Sequence, residues 1–157
     1  MNVITKYRPR IADKILERKL KGKGAVLLED AKWCGKTTTA EQICQSVLYM
    51  SEPGKRDQNI QLAHLNPGLL LRGDKPRLID EWQVAPTIWD AVRFEADHDS
   101  QLGLFVLTGS SIPPDMSEVF HSGTGRFAWV RMRPMSLWES GESTFFNTKP
   151  TQPTDAQ

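Results

Sequence analysis

Cysteine is scarce in this sequence, and its scarcity excludes several classes of protein. Cys34 and Cys44 are the only two in 157 residues, too few and wrongly spaced for a disulfide framework or a zinc site. That usage reads as a reducing cytoplasm. Long apolar runs are missing as well. No stretch is long enough to cross a bilayer, and residues 1–23 hold no apolar core of signal-peptide length. Net charge is nearly absent at +1, so global electrostatics selects neither nucleic acid nor membrane. The expectation is a soluble cytoplasmic protein with no membrane partner.

What is present is an ordinary globular composition, 39% apolar and 25% charged, at a length that suits one well-buried domain. One local imbalance stands out. Positions 6, 8, 10, 14, 18, 19, 21 and 23 are all Lys or Arg, against Asp13 and Glu17. This run leaves a nucleic-acid phosphate contact open, although a solvated helix face is the commoner meaning of such a pattern.

Hydrophobic periodicity organises the chain. Tyr7-Arg8-Pro9-Arg10 opens a helix with Pro9 in its first turn, and Ile11, Ala12, Ile15, Leu16 and Leu20 recur at helical spacing. Gly22 and Gly24 stop it. Residues 25–29 read as a short buried strand, followed by a loop and a helix with Ala40, Ile43, Cys44 and Val47 on one face. Further strands are expected at 47–50, 77–81, 104–108 and 127–131, with a helix beyond Pro86 carrying Ile88, Ala91, Val92 and Glu95. Residues 51–54 read as a turn, while the polar stretch 55–75 stays undecided. Strands alternating with helices imply a parallel α/β sheet with right-handed crossovers. From Asn147 onward only Ala156 is apolar, so 147–157 reads as a disordered tail or truncated linker after a domain at 1–146.

The loop after the first strand carries the chemistry. A phosphate-binding loop aims backbone N–H groups at phosphates, a Lys reaches the β/γ oxygens, and a hydroxyl ligates Mg²⁺. Gly35-Lys36-Thr37 fits that pattern between a strand and a helix, where the helix N-terminus favours an anion. The candidate binding stretch is Asp30, Ala31, Lys32, Trp33, Cys34, Gly35, Lys36, Thr37 and Thr38. Its first position departs from the pattern, with Asp30 where glycine is usual.

Asp80-Glu81 ends the apolar strand at 77–81, at the sheet edge where ligands of open α/β sheets bind. Asp80 can hold Mg²⁺ with Thr37, and Glu81 can polarise an attacking water. A plainer alternative has both carboxylates capping the helix near Pro86. Thr108-Gly109-Ser110 ends the next strand with hydroxyls able to meet a γ-phosphate; a simple turn of small residues is the alternative. Gly123-Thr124-Gly125-Arg126 presents an arginine, whose planar fork suits phosphoryl transfer. Its role in its own subunit, in a neighbour, or as a surface charge stays open. The five tryptophans at 33, 82, 89, 129 and 138 suit core or interface, with Trp33 set apart by its place in the loop.

In order along the chain, Tyr7-Arg8-Pro9-Arg10, residues 32–38, Leu78-Ile79-Asp80-Glu81-Trp82-Gln83, Leu107-Thr108-Gly109-Ser110, residues 122–126 and residues 132–137 form a specific set. Together they resemble a large family of bacterial and archaeal AAA-type P-loop ATPases, whose longer members carry a further C-terminal domain. The resemblance spans about residues 7–143 and implies ATP and Mg²⁺ as cofactors. By that likeness Lys36 and Thr37 hold phosphate and metal, Asp80 and Glu81 serve metal and water, Ser110 senses the γ-phosphate, and Arg126 is the finger or sensor. The expected architecture is a three-layer α/β P-loop NTPase domain with a five-stranded parallel sheet in order 5-1-4-3-2. The expected function is ATP–Mg²⁺ binding with slow hydrolysis, homo-oligomerisation being open. A non-hydrolysing nucleotide scaffold or a degenerate remnant, and a small-molecule P-loop kinase, are the rival readings.

Overall fold

Alternate residues along each strand part the core into two faces, and this sets the layers. The computed structural model describes residues 6–29, 33–109 and 125–142. Strands β1 (Ala25–Glu29), β2 (Ser46–Tyr49), β3 (Arg77–Asp80), β4 (Phe105–Gly109) and β5 (Phe127–Arg131) form one sheet in the order β2-β3-β4-β1-β5. Every pairing is parallel. Read from the other edge, this is the order 5-1-4-3-2 expected from the sequence.

Ala25, Leu27, Ile79, Phe105, Leu107 and Phe127 point to one face. There they pack under α3 (Arg56–Leu65), α4 (Pro67–Leu70) and α5 (Thr87–His98), with Trp89 stacked on Phe127 at 4.1 Å between ring centroids. Val26, Leu28, Leu78, Val106, Ala128 and Val130 point to the other face. That side is covered by α1 (Ile11–Leu20), through Leu16 and Leu20, and by α2 (Lys36–Glu41), through Ala40. The period-two alternation of a strand thus builds two cores from one sheet. No helix among the described residues is long and apolar enough to cross a membrane.

Several local expectations are corrected. Pro9 lies outside the first helix, because Arg10 is the N-cap, in extended conformation, and Asp13 Oδ2 accepts its backbone N–H at 2.9 Å. The helix after the loop stops at Glu41, and Val47 belongs to β2. Ile43, Cys44 and Val47 still pack on the same core, so an apolar pattern that crosses a turn mimics helical spacing. The third strand ends at Asp80 rather than Glu81, and the fourth is displaced by a residue to 105–109. The undecided stretch forms α3 and α4. The expected tail at 147–157 lies outside the described residues.

Candidate functional site

Register brings the carboxyl ends of the central strands level. Glu29 of β1 pairs with Gly109 of β4 and with Arg131 of β5, while Asp80 of β3 pairs with Thr108. The loop that leaves β1 re-enters the described chain at Trp33 and turns into α2 through Gly35, whose φ of 87° lies in the left-handed region. A side chain there would be strained, and its Cβ would stand 3.2 Å from Arg10 Nη1. Gly35 is the N-cap of α2, so the first N–H groups of that helix face an open cleft of about 650 Å³. Residues 33–38 line it, together with Ser51 and Glu81.

Lys36 is buried at 7% exposure, and its Nζ donates to Cys34 Sγ at 3.7 Å. Beside it, Asp80 Oδ1 accepts two hydroxyls, Thr37 Oγ1 at 2.5 Å and Thr108 Oγ1 at 2.7 Å. Three strand or helix ends therefore converge on one carboxylate oxygen. Glu81 follows in left-handed conformation at φ 57°, and Gln83 Nε2 donates to its Oε2. Trp33 (φ 68°) and Glu81 are the left-handed non-glycine residues of the described chain, and both line the cleft. Such strain, about 1–3 kcal/mol each, gathers where function holds the backbone. Helix α5 has Pro86 as N-cap and receives no side-chain cap, so the alternative role for Asp80 and Glu81 as its caps falls away.

A nucleotide with Mg²⁺ fits this donor set. Among the described residues no three His, Cys, Asp or Glu side chains gather as a metal cage. Mg²⁺ asks for less, because it keeps several waters and takes phosphate oxygens, needing a hydroxyl and a carboxylate from the protein. Thr37 and Asp80 present that pair. The cleft volume lies within the range of small-molecule sites.

The remaining expected residues divide between the cleft and other places. Thr38 lines the cleft, and Trp33 is 99% exposed at its rim. Asp30, Ala31, Lys32 and Ser110 lie outside the described residues. Arg126 precedes β5, and its carbonyl accepts the N–H of Ala25 at the start of β1. It therefore sits at the amino edge of the sheet, roughly 16 Å along the strands from the loop edge, paired with Asp97 at 2.9 Å. A role for Arg126 within its own subunit's cleft is excluded by that placement. The basic run is also divided: of its members only Arg10 is buried.

Sequence reasoning missed Gln83 and Arg10. Gln83 Oε1 is buried with no partner among the described residues, against Gly109, where a Cβ would come within 2.6 Å of it. A side chain at position 109 would therefore displace the Gln83 amide. Arg10 Nη1 donates to the Cys34 carbonyl at 2.8 Å, and its Nε pairs with Glu139 at 3.1 Å. Glu139, on helix α6 (Leu137–Ser140), is held down to about 2 by the backbone N–H of Ser136 foremost, then by the Ile11 N–H, the Ser136 hydroxyl and Arg10, against the opposing effect of burial.

No curated protein matches the chain. A family model described as an AAA domain matches residues 23–140, well over half of the 157 residues. That span runs from just before β1 to Ser140 and carries the loop, the acidic strand end and all five strands of the sheet just described. The chain belongs to the AAA-type P-loop ATPase family, as a nucleotide-binding core.

Proposed function

We propose that the cleft binds ATP with Mg²⁺ and hydrolyses it slowly. The observation that carries this reading is the convergence of Thr37 and Thr108 on Asp80 Oδ1 at 2.5 and 2.7 Å, beside the N-terminus of α2 and the buried Lys36. Lys36 and the first N–H groups of α2 meet the phosphates, and Thr37 and Asp80 hold the metal, which when bound offsets phosphate charge. Glu81 takes a proton from water as the water oxygen bonds to the γ-phosphorus and the bond to the β–γ bridging oxygen breaks. Ser110, which follows Gly109 in the sequence, supplies a hydroxyl to report the γ-phosphate. The test is a titration with ATP, GTP and a non-hydrolysable analogue, with and without Mg²⁺, alongside phosphate release. Mg²⁺-dependent ATP binding without phosphate release would leave the non-hydrolysing scaffold as the better reading.

Asp30 gives the scaffold reading its own observation, because a carboxylate replaces the usual glycine. An anion at the start of a phosphate-binding loop repels the ligand by about 1–4 kcal/mol at about 4 Å, between water-like and surface-like dielectric. Asp30→Gly is therefore expected to tighten Mg²⁺–ATP binding by roughly tenfold, equal to about 1.4 kcal/mol. Weaker binding by that variant would show that Asp30 works for the site.

Arg126 acts across subunits if it acts on the nucleotide at all, since its own cleft lies at the opposite sheet edge. We expect Arg126→Ala to leave thermal stability within about 0.5 kcal/mol, as for an exposed position with one surface ion pair. The parent hydrolysis rate per molecule should rise with protein concentration, and the variant should lose that rise. Rates independent of concentration in both proteins would remove the cross-subunit role.

A further inference from the structure

Two of the family-like motifs have no role in the chemistry above, Tyr7-Arg8-Pro9-Arg10 and residues 132–137. The fold brings both to the back of the phosphate-binding loop. Arg10 is 8% exposed and spends its guanidinium on three acceptors from distant parts of the chain. Nη1 donates to the Cys34 carbonyl at 2.8 Å, Nη2 to the Arg133 carbonyl at 2.8 Å, and Nε to Glu139 Oε1 at 3.1 Å. Glu139 is held in turn: Oε1 accepts the Ile11 N–H at 2.9 Å, and Oε2 accepts the Ser136 N–H at 2.8 Å and its hydroxyl at 2.9 Å.

The bond to Cys34 bears on phosphate through the geometry of one peptide. The Cys34–Gly35 peptide is trans, the cis bond of the described chain being Lys75–Pro76. In a trans peptide the carbonyl and the following N–H point in opposite directions. Fixing the Cys34 carbonyl against Arg10 therefore turns the Gly35 N–H away from Arg10, toward the side on which the loop borders the cleft. Gly35 has a wide choice of backbone angles, so this orientation needs an external hold. A buried ion pair contributes little net stability compared with apolar packing, which makes stability a poor reason for placing one here. Three fixed in-plane donors are what a guanidinium offers and an ammonium does not.

We propose that Arg10 is a positioning residue that presets the Gly35 N–H for phosphate, and that Glu139, by orienting Arg10, ties this loop to the segment following β5. The proposal rests on the nucleotide reading of the cleft, and two kinds of measurement keep them apart. With the full chain, Arg10→Lys should weaken Mg²⁺–ATP binding about tenfold by calorimetry. Glu139→Gln should weaken it in the same direction by about threefold. Arg10→Ala should regain affinity when methylguanidinium is added, a rescue that lost packing alone does not give. In the protein without nucleotide, the Gly35 amide resonance should shift or broaden in Arg10→Lys while Val106, deep in β4, stays in place. That arm decides the proposal even if the parent binds no ATP, in which case only the nucleotide reading fails. An unmoved Gly35 amide in both Arg10→Lys and Glu139→Gln overturns the proposal. So does parent affinity in both variants where the parent binds ATP. If Arg10→Lys does not fold, Glu139→Gln and the methylguanidinium rescue decide it by the same readouts.

Discussion

Lys36→Ala is expected to weaken ATP binding by at least about 100-fold, equal to about 2.7 kcal/mol, which is the upper range for a hydrogen bond to a charged group. The lysine opens α2 and is buried against the loop that it follows. Lys36 is the one lysine or arginine among the described residues that line the cleft. Folding should survive the change. Alanine is the better helix former. Calorimetric titration with Mg²⁺–ATP, paired with a thermal melt, separates lost binding from lost fold. Parent-like affinity in a folded variant would remove the phosphate role from residues 33–38.

Which parts of this were legible in the sequence follows from how local each signal is. The spans of β1 and β5 could be read because their residues form short apolar runs bounded by glycine and charge. The end of α2 could not. Ile43 and Cys44 reach the core from a turn and Val47 from a strand, so burial continued after the helix had stopped. Gly35-Lys36-Thr37 and Asp80-Glu81 marked the cleft because each signal is carried by adjacent residues of the chain. Arg10 gave no such signal. In the sequence it is one cation of a basic run, and its partners at positions 34, 133 and 139 meet it only through the fold. The left-handed turn at Glu81 is equally hidden, since nothing at that position marks a positive φ.

Arg126 is a different case, because the signal was present. A residue just before a strand of a parallel sheet lies at the amino edge, and phosphate-binding loops leave from the carboxyl edge. Its position before β5 thus already separated it from its own cleft. Thr108 shows the reverse: its strand end reads as a source of hydroxyls for a γ-phosphate, and in the fold its own hydroxyl donates to Asp80. The two hydroxyls on one oxygen of Asp80 fix the carboxylate's direction before any ligand arrives, which is preorganisation of the kind a metal site requires.

Glu81→Gln is expected to keep ATP affinity within about threefold and to lower hydrolysis by at least about 100-fold, the low end of general-base effects. Two physical reasons act together. The amide is not basic at neutral pH, so water is no longer relieved of its proton. The hydrogen bond from Gln83 adds the second reason. Gln83 Nε2 donates to Glu81 Oε2, so while Gln83 keeps its orientation a glutamine at 81 turns its carbonyl oxygen toward it. Its NH₂ group then takes the other place, offering a donor where the attacking water needs an acceptor. Rotating the amide the other way sets two NH₂ groups against each other. The backbone at 81 stays left-handed in either case, and glutamine bears that conformation at about the same cost as glutamate. Single-turnover phosphate release with the variant saturated by ATP isolates the chemical step, and calorimetry reports binding. Parent-rate release from the saturated variant would reduce Glu81 to a structural acid, fixed by Gln83, and would pass the water-activating role to another group at the cleft.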